Sequence, residues 1–322
     1  MAKNPYLLRT AHPEDCVCVH ASGPVLEVRD FFLPVEDIQK DEITCMMFHE
    51  IADKPDISYH QHTSGSETFI PISGKIEIIA QGIRTYMVPG DIFHVQPYMS
   101  HGFRALEKDS AMMCLFQGFD MINLVNIRTA ALKKHPDAVN DPAYKAIFGK
   151  FGHKLDRAVP DPIELPREDV FCLRREGTGL FEYRYPGVDL YLKAGRWETH
   201  GIKEIWEADM KKGVRVEWGE IRGDYRLFFI NKGVVDFTID GDTFTVDEEA
   251  LVRIPPCLAF SLECKTDARV YDLDCPDLLH SMLEELGDPK KELWPKDPEK
   301  LRELKDKFGC SVTSYTYEEQ GF

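Results

Sequence analysis

The sequence predicts an all-β fold made of two tandem copies of one unit, with flanking helices. Short segments such as 74–80 and 233–240 alternate apolar and polar residues, which is typical of strands with one buried face. The second of these segments repeats the first after a shift of 159 residues, which indicates an internal duplication. A chain of 322 residues is also long enough for two domains, each with its own core.

The repeat is clearest at residues that form turns. Three pairs coincide under the shift without a gap: Gly74 with Gly233, Gly82 with Gly241, and Pro97 with Pro256. A glycine turn joins two predicted strands in each copy, which is the usual connection of a β-hairpin. The two copies are therefore expected to share one strand order.

Four residues of the first copy have the types and spacing of metal ligands. His60 and His62 are two residues apart, so an extended strand points both side chains to one face. Glu67 follows a short polar loop, and His101 ends a block that begins with the Pro-Gly-Asp turn at 89–91. Three imidazoles and one carboxylate suit one divalent transition metal, which could be Fe, Mn, Ni, Co, Cu or Zn, and they leave open positions on an octahedral ion.

The pattern H-x-H-x4-E-x6-G, followed by that turn and by a histidine ten residues after its aspartate, resembles the cupin superfamily. The match is close over 60–74 and 89–101, and it departs from the family at Lys54 and Ala105, neither of which is a ligand position there. The resemblance implies a small jelly-roll barrel, a double-stranded β-helix, around the metal. Together with the repeat, it implies two tandem cupin barrels, a bicupin.

The second copy loses all four ligands. Under the shift, His60 falls on Gly219, His62 on Ile221, Glu67 on Arg226 and His101 on Phe260. Glycine, isoleucine and phenylalanine side chains cannot bind a divalent metal, and arginine is a permanent cation that repels one. We therefore expect a degenerate, metal-free second barrel that acts as scaffold, lid or dimer surface. The alternative is an anion pocket built on Arg226.

The predicted organisation has five parts. They are an N-terminal arm at 1–20, the metal-binding barrel at 21–118, a helical segment and linker at 119–167, the second barrel at 168–275, and a C-terminal helical tail at 276–322. Apolar spacing predicts helices at 122–134, 277–286 and 298–308, and the proline-rich run at 159–166 predicts the linker. The last two helices are expected to cover a barrel surface or an oligomer contact.

A small apolar and aromatic cavity is expected around the metal. Four residues form this predicted substrate pocket: Phe69, His94, Tyr98 and Phe103. Phe69 and Phe103 each lie two residues from a ligand and so share its face of the strand. Tyr98 is expected near the barrel mouth, and His94 faces either the pocket or outward. The sequence assigns no residue a catalytic role.

The amino-acid composition indicates which binding partners and which cellular location to expect. The net charge of −16, without a basic patch, disfavours nucleic acid and anionic membranes. No apolar run has the length of a membrane span, and the N-terminus lacks the apolar core of a signal peptide, so we expect a cytoplasmic protein. The nine cysteines form no C-x-x-C pair, which favours buried, reduced thiols.

The resemblance implies three functions. The favoured one is a metal-dependent enzyme for a small oxygenated organic substrate, a dioxygenase-type oxidoreductase. The alternatives are a redox-neutral isomerase, lyase or decarboxylase, and a non-enzymatic cupin that binds a small molecule. A homo-oligomer, as a dimer, is expected in each case. The sequence contains no G-x-S-x-G motif, P-loop or dinucleotide-binding glycine pattern.

Overall fold

The computed structural model describes most of the chain. The residues described are 4–9, 18–21, 27–31, 44–49, 59–63, 65–108, 110–117, 134, 142, 146, 153–155, 161–199, 201, 203–221, 225–287 and 294–317. The predicted helix at 122–134 and the first two residues of the predicted linker therefore fall outside this part, apart from Lys134, which is helical. Among the residues described, no helix is long and apolar enough to cross a membrane.

Strands dominate the structure. Those up to residue 174 are β1 Leu7–Arg9, β2 Cys18–Ala21, β3 Glu27–Phe31, β4 Thr44–His49, β5 His60–His62, β6 Ser66–Ser73, β7 Ile76–Ala80, β8 Ile83–Met87, β9 Ile92–Val95, β10 His101–Ala105, β11 Ala111–Gln117, β12 His153–Leu155, β13 Ile163–Glu164 and β14 Leu173–Arg174. The later strands are β15 Glu182–Tyr185, β16 Val188–Ala194, β17 Glu204–Met210, β18 Arg215–Trp218, β19 Arg226–Lys232, β20 Val235–Ile239, β21 Asp242–Val246, β22 Ala250–Ile254, β23 Phe260–Cys264, β24 Ala268–Cys275 and β25 Val312–Thr316. Two helices follow β24, α1 at Leu279–Leu286 and α2 at Pro298–Phe308, and a short 3-10 turn lies at Arg167–Asp169.

The chain forms two compact units. The first-barrel unit comprises Pro13–Glu176 and Glu198–His200, and the second-barrel unit comprises Met1–His12, Gly177–Trp197 and Gly201–Phe322. Within the predicted N-terminal arm, β1 therefore belongs to the second-barrel unit, where it pairs with β22 in antiparallel fashion, whereas the first residues of β2 belong to the first-barrel unit.

Both units have the same strand order. The first-barrel unit has one sheet ordered β14-β9-β6-β11-β4-β3-β2 and another ordered β12-β5-β10-β7-β8-β13. The second-barrel unit has the sheets β1-β22-β19-β24-β17-β16-β15 and β21-β20-β23-β18-β25. Replacing strands β2 to β12 of the first unit by their repeat partners gives the order of the corresponding strands in the second. The edge position of β14 is taken by β1 in the second unit, and β13 has no counterpart among the residues described. Each unit is thus a jelly-roll barrel of two mainly antiparallel sheets, which confirms the predicted fold class.

Backbone conformation also repeats with the shift of 159 residues. Five pairs of positions with positive φ recur at this spacing: Gly74 (70°) and Gly233 (88°), Gln81 (50°) and Asp240 (51°), Gly82 (77°) and Gly241 (84°), Gly90 (92°) and Glu249 (61°), and Tyr98 (65°) and Cys257 (64°). L-residues rarely adopt this conformation, so its recurrence at non-glycine positions argues for a conserved set of turns in both copies.

One local insertion breaks the gapless alignment. Across β5 and β10, His60 lies opposite His101, whereas across β18 and β23 the residue opposite Phe260 is Trp218. Farther along, the amide of Cys257 donates to the Ile221 carbonyl, as the amide of Tyr98 donates to the His62 carbonyl. The second copy therefore has one extra residue between these two points. The counterpart of His60 is Trp218, and the prediction of Gly219 was wrong.

The C-terminal helices cover part of the second barrel. In α2, Pro298 occupies the first turn, the Asp297 side chain accepts a hydrogen bond from the Glu299 amide at 3.0 Å, and Gly309 ends the helix with φ at 66°. Apolar side chains from both helices pack against strands β16 and β17: Met282, Leu283, Leu304 and Phe308 contact a cluster that contains Leu192 and Trp206. The predicted helix at 298–308 is confirmed, and the one predicted at 277–286 begins two residues later.

Five of the described cysteines are buried, as predicted, and one is not. Cys114, Cys172, Cys264, Cys275 and Cys310 are buried, whereas Cys257 is exposed. Burial raises the pKa of the Cys172 thiol to about 12, so it stays protonated at neutral pH. These side chains therefore act as small apolar groups of the cores.

Candidate metal centre

Three strands from the two sheets of the first-barrel unit bring the four predicted ligands together: β5 and β10 are neighbours in one sheet, and β6 belongs to the other. β5 supplies His60 and His62, β6 supplies Glu67, and β10 supplies His101. His60 lies directly opposite His101 in the antiparallel pair, so both side chains point to one face. All four side chains are buried, the most accessible being His60 at 4% exposure. The sequence pattern and the sheet register thus converge on one interior point.

The donor atoms form a tight group. Within this set, one ligand atom per residue can be chosen so that all four lie within 4.8 Å of one another. The Glu67 Oε2 atom is 3.0 Å from His62 Nε2 and 2.9 Å from His101 Nε2. The His60 ring centroid lies 4.9 Å from that of His62 and 4.4 Å from that of His101. No other group of three or more candidate ligands is found among the residues described.

These separations suit a metal ion. Adjacent ligands of a first-row divalent ion at about 2.1 Å are separated by roughly 3.0 Å at right angles. The two contacts of Glu67 have this length. On an octahedral ion, three nitrogen donors and one oxygen donor also leave coordination positions open for another ligand.

The tautomer of His101 gives an independent argument for a cation. Its Nδ1 atom lies 2.9 Å from the Met99 carbonyl oxygen, which can only accept, so Nδ1 carries a hydrogen. In a neutral ring, Nε2 then presents a lone pair to the Glu67 carboxylate oxygen, 2.9 Å away. Two lone pairs at this distance repel each other unless a proton or a metal ion lies between them. The carbonyl of Met99 therefore orients His101 as a ligand.

Electrostatics keep Glu67 charged. Burial alone would raise its pKa, but hydrogen bonds and charge interactions with His101 and His62 prevail and lower the pKa of Glu67 to about 2. For His62, burial is the largest influence and lowers its pKa, which favours the neutral imidazole. A carboxylate beside neutral imidazoles is the protonation state that binds a divalent metal.

Aromatic side chains surround the cluster. The Phe69 ring centroid is 5.7 Å from that of His101 and 5.4 Å from that of Phe103, so both predicted phenylalanines lie beside the site. Phe116 meets His62 edge to face at 6.3 Å and was not predicted. Its strand, β11, pairs with β6 so that Phe116 lies opposite Glu67, a long-range register that the local pattern does not give.

His94 lies outside the pocket, which corrects its predicted place there. It pairs with Thr68 across β6 and β9, so its side chain is on the face opposite Glu67. Its Nδ1 atom is 2.8 Å from Thr68 Oγ1, and its Nε2 is 3.2 Å from the backbone oxygen of Glu198. Burial lowers the pKa of His94 to about 4. Both nitrogens are thus engaged in structural contacts.

Tyr98 also differs from its predicted role. Its φ of 65° turns the chain between β9 and β10, and its side chain is 64% exposed. The backbone amide of Tyr98, not its ring, approaches the cluster, because it donates to the carbonyl oxygen of His62 at 2.6 Å. Tyr98 therefore helps to position the β5 strand.

The corresponding region of the second-barrel unit has different chemistry. Trp218 and Phe260 stack with ring centroids 4.6 Å apart where His60 and His101 meet in the first barrel. Arg226 stands in the place of Glu67, and all five of its N–H groups are engaged by protein atoms. The partners are Asp272 Oδ2 at 2.8 and 2.5 Å, Asp277 Oδ2 at 3.2 Å, Ser311 Oγ at 3.1 Å and Cys275 Sγ at 3.4 Å. The alternative of an anion pocket on Arg226 is therefore wrong.

Comparison with solved structures identifies the fold. The chain is similar to a structure of oxalate decarboxylase from Bacillus subtilis at pH 4.6, with a sequence identity of 11% and a TM-score of 0.51. The match covers 86% of this chain and 78% of that chain. A four-residue mutant of that enzyme matches with 12% identity, the same coverage and a TM-score of 0.53. A further structure, from a study of the Mn(II) centres of the same enzyme, matches with 12% identity and a TM-score of 0.50. No protein-family model matches the sequence, and no match is found among curated proteins.

At such low identity, this likeness shows the fold alone. It agrees with the strand order of both units and with the repeat of their turns. The chain therefore has the predicted fold of two tandem cupin-type jelly-roll barrels.

Proposed function

We propose that the first barrel is the centre of a metal-dependent enzyme that cleaves a carbon–carbon bond of a small carboxylic acid without net oxidation, as a decarboxylase does. One divalent metal would be held by His60, His62, Glu67 and His101. The observation that carries this proposal is the buried convergence of these four donor groups, with all donor atoms within 4.8 Å. The decarboxylases of the same fold support the reaction class.

The protein residues around the site supply a charged ligand and a shielded environment. Glu67 offsets one positive charge of the ion, while Phe69, Phe103 and Phe116 exclude water from its surroundings. A bound divalent ion would act as a Lewis acid that polarises a substrate oxygen and stabilises the negative charge developed when CO2 is lost. Low local dielectric strengthens this interaction.

Other buried titratable groups in the described part of this unit are engaged elsewhere, among them Arg174 and Glu198, which pair with each other at 2.6 Å. Glu77 is paired with Arg104 at 2.7 Å, and Asp91 is paired with Arg167. His94 is bound to Thr68 and to the Glu198 carbonyl. Within the described part of this unit, the ligand cluster is therefore the group best placed to bind a substrate.

The experiment uses metal-loaded protein and a panel of small acids. Oxalate, malonate and oxaloacetate are tested as acids, and catechol and an enol are tested as dioxygenase substrates. We expect CO2 release from an acid without stoichiometric oxygen uptake. Oxygen uptake equimolar with product would contradict the proposal and favour the dioxygenase predicted from the sequence. Saturable binding without turnover of any compound would favour a binding protein.

A further inference from the structure

The second-barrel unit contains a pocket that none of the preceding functions uses. Its volume is about 120 Å³, and its walls are mainly apolar side chains of β16, β17, β18, β23 and α1. Several of these residues are the repeat counterparts of residues at the candidate metal centre. Trp218 takes the place of His60, Phe228 that of Phe69, and Leu262 that of Phe103. The duplication has thus kept an interior site while its chemistry has changed.

The charges in the pocket wall exclude both a metal and a small anion. Arg226, which lines the pocket, is a permanent cation where Glu67 stands in the first barrel. Its guanidinium is neutralised by Asp272 and Asp277, and each of its N–H groups already donates to protein atoms. An incoming anion would meet the Asp272 carboxylate and no available guanidinium hydrogen.

Two indole groups of the pocket wall have unused hydrogen-bonding capacity. Trp218 and Trp294 are 7% and 9% exposed, and in the described part of the chain the Nε1 atom of each is buried without a hydrogen-bond partner. A buried donor without a partner is unfavourable, so a ligand that accepts from it gains affinity. Trp206, which also lines the pocket, shows the usual arrangement, since its Nε1 donates to Glu204 Oε2 at 2.8 Å.

We propose that this pocket binds a small, uncharged, mainly apolar molecule that carries a carbonyl or ether oxygen. The apolar walls select a hydrocarbon body, and the indole N–H groups of Trp218 and Trp294 select a hydrogen-bond acceptor. The volume of about 120 Å³ is slightly below that of an engineered protein cavity of about 150 Å³ that binds benzene. The ligand is therefore about the size of a six-membered ring. This site is independent of the function proposed for the first barrel.

The probe is cyclohexanone, and its control is methylenecyclohexane, which has a similar shape but no acceptor oxygen. The chain contains four tryptophans, so a ¹H–¹⁵N NMR spectrum resolves four indole resonances, which Trp→Phe variants assign. Cyclohexanone should shift the resonances of Trp218 and Trp294 saturably, with a dissociation constant in the millimolar range expected for about seven heavy atoms. The resonance of Trp197, which is 59% exposed and outside the pocket wall, should not move.

Two matched variants locate the binding site. Ala208→Leu places a larger side chain in the pocket wall and should weaken cyclohexanone binding at least about tenfold. Ala259→Leu makes the same change at an exposed position of this unit and should leave the affinity unchanged. Methylenecyclohexane should bind roughly fivefold more weakly than cyclohexanone, because one net hydrogen bond contributes about 1 kcal/mol.

The outcomes are distinct. No saturable binding of cyclohexanone, or equal affinity in wild type and Ala208→Leu, would show that the pocket is not a ligand site. Equal or tighter binding of methylenecyclohexane would overturn the role of the indole donors. Trp218→Phe provides a second test of that role, since it keeps an aromatic ring but should reduce cyclohexanone affinity by the same factor of roughly five.

Discussion

At the residue scale, Glu67 connects the imidazoles of the candidate metal centre. A single carboxylate oxygen lies within 3.0 Å of His62 and His101, and the pKa of Glu67 is lowered to about 2. It is also the one negative charge in a cluster whose other members are neutral when they bind a metal. The charge of this residue, rather than its size, should therefore dominate metal affinity.

The substitution Glu67→Gln tests this role. It keeps the size and one oxygen but removes the charge, so we expect metal affinity to fall by about tenfold or more, which corresponds to about 1.4 kcal/mol. Activity per bound metal should also fall. Chelator competition measures the affinity. Glu77→Gln is the matched control, because Glu77 is similarly buried but paired with Arg104, and it should leave metal affinity unchanged. Unchanged affinity in Glu67→Gln would show that Glu67 is not a ligand.

His94 predicts a pH dependence of stability. Its pKa is about 4 in the folded protein and 6.5 in the unfolded chain, with Glu198 and Arg174 as the neighbouring charged groups. Because the unfolded state binds this proton first, stability decreases as the pH falls from above 6.5 towards 4. Between pH 7.5 and pH 5 this amounts to about 2 kcal/mol. His94→Gln should remove that part of the decrease in urea unfolding of metal-free protein. An identical pH dependence in the variant would contradict a buried neutral His94.

The four candidate metal ligands could be predicted from the sequence because their identity and spacing are local properties of strands. The environment of His94 could not be, because Glu198 is 104 residues away in the sequence. The same holds for Arg226, whose partners Asp272 and Asp277 are 46 and 51 residues away. Residue type shows that a side chain is charged, whereas its neutralisation depends on long-range pairing.

At the element scale, the glycine turns show how the duplication preserved the barrel. Gly74 and Gly233 both have positive φ, and a Cβ atom at either would collide with a neighbouring chain segment, at Ser110 and Asp267 respectively. Gly82 and Gly241 have similar φ values, but a Cβ atom there would meet nothing within 4 Å. In each copy, therefore, one glycine turn has no room for a Cβ atom and the other has room for it.

Alanine substitutions should separate backbone strain from steric clash. Gly82→Ala and Gly241→Ala should destabilise the protein by about 1–2 kcal/mol, the cost of a left-handed L-residue. Gly74→Ala and Gly233→Ala should cost at least about 1 kcal/mol more, because atoms must also move. Thermal and urea unfolding measure the four differences. Equal effects of Gly74→Ala and Gly82→Ala, or of Gly233→Ala and Gly241→Ala, would show that the close approach does not constrain the turn.

The repeat was visible in the sequence because the strands between these turns kept their lengths. β7 and β20, β8 and β21, and β10 and β23 coincide under the shift of 159 residues. The extra residue between Trp218 and Ile221 could not be recognised in the sequence, because one added residue does not change the pattern of apolar and polar positions enough to be detected. Only the pairing register with β23 shows it.

At the scale of the whole molecule, the structure supports a division of roles between the two barrels. The candidate metal ligands lie in the first-barrel unit, whereas the equivalent interior of the second-barrel unit holds an arginine, two carboxylates and aromatic side chains. A metal-free second barrel therefore stays our prediction, as do the expected homo-oligomer and the cytoplasmic location.

Substituting Arg226 should affect folding rather than metal binding. In Arg226→Met, the Asp272 and Asp277 carboxylates would remain buried without their cation, which should destabilise the second-barrel unit by about 3–5 kcal/mol. Arg215→Met is the control, since the side chain of Arg215 is 43% exposed and its ion pairs should contribute less than about 1 kcal/mol. Folded protein of both variants should keep the wild-type metal content. Loss of metal from folded Arg226→Met would contradict the division of roles.

The most direct test of the account is the metal content of the purified chain. Elemental analysis should find about one equivalent of a divalent transition metal per chain, because four donor groups converge at one site among the residues described. The double variant His60→Ala/His62→Ala should retain almost none, while His94→Gln should retain the wild-type amount. Two equivalents per chain in the wild type, or metal retained in the double variant, would contradict the assignment of a single metal centre to the first barrel.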